Sequence, residues 1–208
     1  MEQVENIIKT YINRYKFWCL DSSSSTSSPP QNDTGGRKGK FFIFHNYSLV
    51  SGASLPHPHS QISVVPNEVP TKTLVTQPVV NIIEQNEGFV SYCPEYSEWA
   101  YEVWIKPIFN FQFSIFNQVQ ISNFAKILQS SIRKLKKIHA NNPHYSKKPF
   151  GYNYYIYPYS PERAERVEGW YLRIIPRFME RAGFELSTGI MVNSVDPKKA
   201  AEDLRKLL

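Results

Sequence analysis

An α+β fold is predicted, because strands and helices follow one another without the regular strand–helix rhythm of a doubly wound parallel sheet. Three observations carry this reading. Residues 118–138 hold a 3.6-period apolar stripe, Ile121, Phe124, Leu128, Ile132, Leu135 and Ile138. Aromatic and β-branched runs at 41–48, 88–92 and 99–107 read as strands before that helix, and 153–157 and 170–177 read as strands after it. With 208 residues and 41% apolar content the chain is long enough for one well-cored domain, or one and a half.

Taken in order, residues 3–18 predict an amphipathic helix with Val4, Ile7, Ile8, Tyr11, Ile12 and Tyr15 on one stripe. Residues 1–20 form this N-terminal unit. From 21 to 40 the composition turns to Ser22-Ser23-Ser24-Ser25, Pro29-Pro30 and Gly35-Gly36, a linker with too little apolar surface to offset its ordering entropy. Arg37-Lys38-Gly39-Lys40 closes it, a solvated charge run or a reach toward phosphate.

Phe41-Phe42-Ile43-Phe44-His45-Asn46-Tyr47-Ser48 is the next strand, followed by the small-residue turn Ser51-Gly52-Ala53-Ser54. Leu55-Pro56-His57-Pro58-His59-Ser60-Gln61 then reads as extended, since each proline drives its predecessor out of the α region. Gln61-Ile62-Ser63-Val64-Val65-Pro66 prolongs it. A period of two places His57, His59 and Gln61 on one face. Two imidazoles and an amide are equipment for holding a phosphate and attacking it; the plainer alternative is a pair of loop histidines beside prolines.

Beyond a proline-bounded connector, Pro66 to Pro78, come the strands at 88–92 and 99–107 and the long helix. Lys126, Arg133, Lys134, Lys136 and Lys137 of that helix read as a solvated basic face, and His139 as a cap-like contact at its end. Near the C-terminus, Ala182-Gly183-Phe184-Glu185-Leu186-Ser187-Thr188-Gly189 reads as a glycine-bracketed loop, and Ile190-Met191-Val192-Asn193 as a short strand. A last helix starts at Asp196 as N-cap and Pro197, with Ala200, Ala201, Leu204 and Leu208 inward.

A net charge of +6 suits anionic ligands without choosing among them. The 13 Tyr and 13 Phe are scattered over strands and helices rather than interleaved with a basic run, which argues against nucleic-acid binding. The two cysteines, Cys19 and Cys93, are far apart, so neither a disulfide framework nor a Cys-x-x-Cys zinc or redox site is expected. No apolar run is long enough to span a bilayer, and the acidic, polar start has no signal-peptide character, so a cytoplasmic protein is expected.

The block from Phe42 to Pro66, with Asn46 ending a strand, Gly52-Ala53-Ser54 in the turn and His57-Pro58-His59-Ser60-Gln61 after it, resembles the galactose-1-phosphate uridylyltransferase family of the histidine-triad superfamily. Glu102-Val103-Trp104-Ile105, closed by Pro107, resembles the opening strand of that family's second half. The resemblance implies antiparallel histidine-triad-like sheets with packed helices. Residues 41–78 would be the remnant of a truncated first repeat and 79–208 a complete second repeat.

It also implies a nucleotidyltransferase of galactose metabolism. His59 would attack the α-phosphorus of UDP-glucose and hold a uridylyl group until a hexose 1-phosphate takes it. Gln61 would donate its amide to the phosphate, Asn46, Gly52 and Ser54 would contact it, and Phe184 and Glu185 would grip the hexose, in a neighbouring subunit of a homodimer. An exposed loop carboxylate is the plainer reading of Glu185. His57 matches a zinc ligand of the family, but the upstream Cys-x-x-Cys and histidine are missing and no cofactor is expected. The histidines of a second, iron site are absent from Trp170 to Arg177, and Ser48 stands where a glycine is usual. A truncated frame, one part of a split enzyme with a separate N-terminal partner, and a compact relative completed by its dimer all remain open. So do two alternative functions: an inactive relative that keeps a nucleotide-binding fold, and a nucleotide-sugar or dinucleoside-polyphosphate phosphorylase.

Overall fold

The computed structural model describes residues 1–19, 39–66, 68–70, 78–109, 113, 116–157 and 170–207. Most of the 21–40 stretch and part of the 66–78 connector therefore lie outside the described residues, as does Leu208. Helix α1 spans Glu2–Cys19, followed by strands β1 (Gly39–Tyr47), β2 (Ser60–Pro66), β3 (Ile82–Gln85), β4 (Phe89–Tyr92) and β5 (Val103–Pro107). Helix α2 (Gln118–Asn141), strands β6 (Tyr152–Tyr157) and β7 (Tyr171–Pro176), and helices α3 (Gly183–Thr188) and α4 (Pro197–Arg205) complete the order.

The strands form one sheet in the order β2-β1-β6-β7-β5-β4-β3, with every neighbouring pair antiparallel. The α+β antiparallel class predicted from the sequence is the one observed. Helices α1, α2 and α4 pack on one face, α1 against β1, α2 against β4 and β5, and α4 against β3. Strand alternation sends Ile43, Tyr154, Ile156, Leu172, Ile174, Val103 and Ile105 into that interface. Phe89, Phe124 and Trp170 meet there with ring centroids 5.1–6.1 Å apart.

The helices follow their sequence signals. In α1, Ile8, Tyr11, Ile12 and Tyr15 are buried, whereas Ile7, at the margin of the stripe, is 44% exposed. Helix α2 opens on a capping box: Asn117 Oδ1 accepts from the Gln120 N–H (2.9 Å) and Gln120 Oε1 from the Asn117 N–H (2.8 Å). Asp196 Oδ1 caps α4 by accepting from the Lys199 N–H (3.0 Å).

Four local expectations need correction. The strand expected over 99–107 begins only at Val103, because Tyr101 sits at φ 57° and the Glu102 N–H turns back to the Trp99 carbonyl (3.1 Å). Lys134 is not on the solvated face; it is buried, and its ammonium lies 2.8 Å from Glu84, which also accepts from Ser130. Residues 183–188 are helical rather than loop: Glu185 Oε2 accepts from the Ala182 N–H (3.0 Å), and Gly189, at φ 72°, ends the turn in the left-handed region. Residues 190–193 pair with no strand among the described residues; Ile190 and Val192 are exposed, and the Asn193 amide donates to the Ser97 carbonyl (3.1 Å). Strand β3, only four residues long, was not anticipated at all.

The reverse face of the sheet holds a second, smaller cluster of Tyr92, Trp104 and Tyr171, with Tyr155 against it. Trp104 stacks on Tyr171 at 4.1 Å. Beside them lies a buried ion pair: Arg173 gives Nε to Glu102 Oε1 (2.6 Å) and Nη2 to Glu102 Oε2 (2.8 Å). Arg173 also reaches Glu98 (3.0 Å) and the Tyr155 hydroxyl (3.0 Å). Glu102 further accepts from the Trp104 indole (2.6 Å) and from the Glu98 N–H (3.0 Å). Burial works against the Arg173 charge, but the hydrogen bonds and charge of Glu102 outweigh it and raise its pKa.

Breaking one side of a buried, fully bonded pair strands the other charge. Glu102→Gln is therefore expected to lower unfolding free energy by about 3–5 kcal/mol. Combining it with Arg173→Met should cost less than the sum of the two single changes. Denaturant unfolding of the three variants checks this; additive losses would contradict it.

Candidate active site

Strand β1 sets the geometry. Its residues alternate, so Phe41, Ile43 and His45 face the helices, while Phe42, Phe44 and Asn46 face the other way. The register pairs His45 with Ser60 and Phe44 with Gln61 on β2, and His45 with Tyr154 and Asn46 with Asn153 on β6. Gln61 therefore points away from the helices, and Ser60 toward them.

The regular strand starts at Ser60, so His57, Pro58 and His59 lie just outside it. The expected grouping nevertheless holds. The His57 and His59 rings are 5.6 Å apart, and the Gln61 amide nitrogen is 3.4 Å from His59 Nε2. His57 is exposed, and His59 and Gln61 are half-buried at the margin of the sheet.

The contacts of His59 favour one tautomer. Nδ1 lies 3.1 Å from the His57 carbonyl oxygen, which only accepts, so Nδ1 carries the proton. Nε2 then holds the lone pair, consistent with an amide donor beside it. An imidazole whose Nδ1–H is held by a carbonyl and whose Nε2 keeps its lone pair can act as a nucleophile.

The turn between the strands is clamped. Asn153 donates its amide to Asn46 Oδ1 (2.7 Å) and to the Ser51 carbonyl (2.8 Å), and the Ser51 hydroxyl reaches back to the Tyr47 and Ser48 carbonyls. Gly52 sits at φ 80°, a backbone that favours glycine. A Cβ there would meet nothing within 4 Å, so no close approach of protein requires it. Gly151 does meet a close approach, since a Cβ on it would collide with Val50 of the turn. Ser54 is exposed.

The remaining expected site residues stand apart. Phe184, 52% exposed, and Glu185 lie on α3. Among the described residues no hydrogen bond or ring contact joins them to the His57–Gln61 segment, and the Glu185 carboxylate is engaged in capping α3. Among the described residues no group of three or more His, Cys, Asp or Glu is placed to hold a metal ion. A tetrahedral zinc needs four ligands, and among the described residues those around His57 do not supply them. Cys93 is a buried free thiol whose pKa burial pushes up.

Sequence reading missed what lies beneath the histidines. His45 is buried, stacked on Tyr154 at 4.9 Å, with Nδ1 3.3 Å from Ser60 Oγ. The Tyr11 hydroxyl, from α1, bonds to both Ser60 and Tyr154. The available signal was the period of two through Phe41, Ile43 and His45, which puts an imidazole on a core face. Burial lowers the His45 pKa, while a hydrogen bond to the His59 main chain opposes the shift. Burial raises Tyr11 and Tyr154, so both hydroxyls stay protonated.

A lowered histidine pKa means that the folded state resists protonation. That contribution to stability is complete above the unfolded value of 6.5 and is lost as pH falls through the folded value. Melting temperature is expected to drop between pH 7 and 5, with a shallower drop in His45→Asn. Equal slopes for the two proteins would contradict the assignment.

No family model matches the chain. Among curated proteins it is 27% identical over 188 residues to ADP-glucose phosphorylase of Arabidopsis thaliana, an alignment covering 79% of this chain and 51% of that protein. It is 25% identical over 193 residues to galactose-1-phosphate uridylyltransferase of Thermotoga maritima, covering 79% of this chain and 59% of that protein. The chain thus spans little more than half the length of these relatives. The crystal structure of an ADP-glucose phosphorylase from Arabidopsis thaliana with bound ADP-glucose superposes with a TM-score of 0.74 at 21% identity, over 99% of this chain and 67% of that one. Among the described residues no helix is long and apolar enough to cross a membrane. In sequence and in fold, this chain resembles the galactose-1-phosphate uridylyltransferase family, as the segment from Asn46 to Gln61 implied.

Proposed function

We propose that this chain carries the catalytic segment of a nucleotidyltransferase that passes a nucleoside monophosphate from a nucleotide sugar to a second phosphate through His59. The observation that supports it best is the His59 imidazole itself, with Nδ1–H on the His57 carbonyl and Nε2 beside the Gln61 amide. Nε2 attacks the α-phosphorus, forming a P–N bond. The bond from phosphorus to the bridging oxygen breaks, and hexose 1-phosphate leaves with the electron pair. An oxygen of the acceptor phosphate then attacks the same phosphorus, and the P–N electrons return to Nε2.

The chain's own groups serve these steps. The His57 carbonyl accepts from Nδ1–H throughout and stabilises the positive charge that the ring gains on phosphorylation. The Gln61 amide donates to the non-bridging oxygens, where charge grows in the transition state. Asn46, with Oδ1 engaged by Asn153, has its amide nitrogen left to donate to phosphate. Ser54 and Gly52 would border the phosphate from the turn, and Phe184 and Glu185 would serve the hexose, in a second copy of the chain.

With UDP-glucose as donor and hexose 1-phosphate as acceptor the reaction is that of a uridylyltransferase in galactose metabolism. Similarity to ADP-glucose phosphorylase favours a second reading, in which ADP-glucose is the donor and inorganic phosphate the acceptor. Both share the His59 step and differ only in base and acceptor.

UDP-glucose or ADP-glucose labelled at the α-phosphate, followed by an alkaline quench, is expected to leave an acid-labile label on the wild type. His59→Ala, which lacks the accepting nitrogen, should take no label, and Gln61→Ala should lose about 10²–10³ of the labelling rate. Chasing the adduct with hexose 1-phosphate or with inorganic phosphate separates the two readings. Label on His59→Ala, or none on the wild type with either donor, would reject the proposal.

A further inference from the structure

The residue between the proposed nucleophile and its amide partner is tethered from below. Ser60 turns its side chain away from Gln61, toward the helices, where it faces His45 and, one strand further, Tyr154 in register. Its hydroxyl bonds to Tyr11 of α1 and lies 3.3 Å from His45 Nδ1. The Tyr11 hydroxyl in turn bonds to Tyr154 (2.7 Å). Three separate elements, α1, β1 and β6, thus converge on one side chain of β2.

β2 needs such an anchor. It is an edge strand of the described sheet, paired only with β1, and Ser60 is its first residue. Strand ends fray where few contacts hold them, and the histidines lie immediately beyond this end. A buried polar cluster whose members satisfy one another gives rigidity that apolar packing alone does not.

We infer that Tyr11 and His45 are positioning residues, Tyr11 acting through the Ser60 hydroxyl and His45 through that hydroxyl and its own hydrogen bond to the His59 main chain, which together fix the main chain at 57–61 so that His59 keeps its Nδ1–H tautomer with Nε2 beside Gln61. This rests on the reading of His59 as nucleophile for its catalytic consequence, but not for its structural one. Helix α1 is then a working part of the catalytic edge as well as a packing element. A displacement of about 1 Å at a reacting group costs on the order of 10²-fold in rate, while nucleotide-sugar binding, which does not depend on Nε2 alignment, changes little.

The test uses the full chain and the variants Ser60→Ala, Tyr11→Phe and Tyr154→Phe, with two readouts. The first is the single-turnover rate of label transfer from α-phosphate-labelled nucleotide sugar, set against the dissociation constant of the same compound. The second is the His59 tautomer from long-range proton–nitrogen spectra of ¹⁵N-histidine-labelled protein, with His59→Ala for assignment. Ser60→Ala and Tyr11→Phe are expected to slow transfer by about 10–100-fold with binding within about threefold, and to mix the tautomer. Tyr154→Phe, which removes a hydrogen bond from the cluster but leaves the Tyr11–Ser60 bond in place, should slow transfer and mix the tautomer less than Ser60→Ala or Tyr11→Phe does. If Ser60→Ala transfers at the wild-type rate with Nδ1–H retained, or if all three variants lose rate in proportion to melting temperature, the inference is overturned. If the wild type itself takes no label, the nucleotidyl-transfer reading fails. The tautomer then still decides the tether: Nδ1–H lost in Ser60→Ala supports it, and Nδ1–H unchanged rejects it.

Discussion

The register of β1 against β2 is the constraint on which the candidate site depends. Pairing His45 with Ser60 and Phe44 with Gln61 sends the serine inward and the glutamine outward. A slip of one residue would exchange the two faces, burying an amide where a hydroxyl is held and exposing that hydroxyl in its place. The register is fixed from both sides. Phe41 and Ile43 must reach the core, and Asn153 grips both Asn46 and the turn carbonyl of Ser51.

Two parallel rows of side chains then cross the sheet, one on each face. On the helix side Ser60, His45, Tyr154, Ile174 and Val103 follow one another in register, passing from polar at the edge to apolar at the centre. On the reverse side the row runs Gln61, Phe44, Tyr155, Arg173, Trp104 and Tyr92. That row is held at its far end by the Glu102–Arg173 pair and the stacked Trp104 and Tyr171. The sheet centre is therefore packed on both faces. The β2 edge, paired only with β1 among the described residues, meets the hydroxyl cluster of Ser60, Tyr11 and Tyr154 on its helix side.

Much of this was legible in the sequence, because the main signals are periodic. The stripe of α2 and the capping group Asp196 mark helices by mechanisms confined to a few neighbouring residues, and period-two runs mark β1, β6 and β7. The grouping of His57, His59 and Gln61 followed from the same period, although the two histidines precede the regular strand. What could not be read depends on distant partners. Lys134 looked like one more exposed cation until Glu84 arrived from β3, and Glu102 owes its burial to Arg173, 71 residues away. Residues 182–189 show the opposite failure: Gly183 and Gly189 suggested a loop, yet Gly189 is the stop signal of a short helix whose first turn Glu185 caps. The link from Tyr11 to Ser60 spans α1 and β2, and no local pattern announces it.

The central claim is that phosphorus passes through a bond to His59 rather than directly from donor to acceptor, and stereochemistry at that atom tests it most directly. Each in-line displacement inverts the configuration, so two successive ones restore it. With a nucleotide sugar bearing one sulfur of known configuration on the α-phosphate, the account predicts a product of retained configuration. Inversion, or no transfer to hexose 1-phosphate or inorganic phosphate at all, would contradict it.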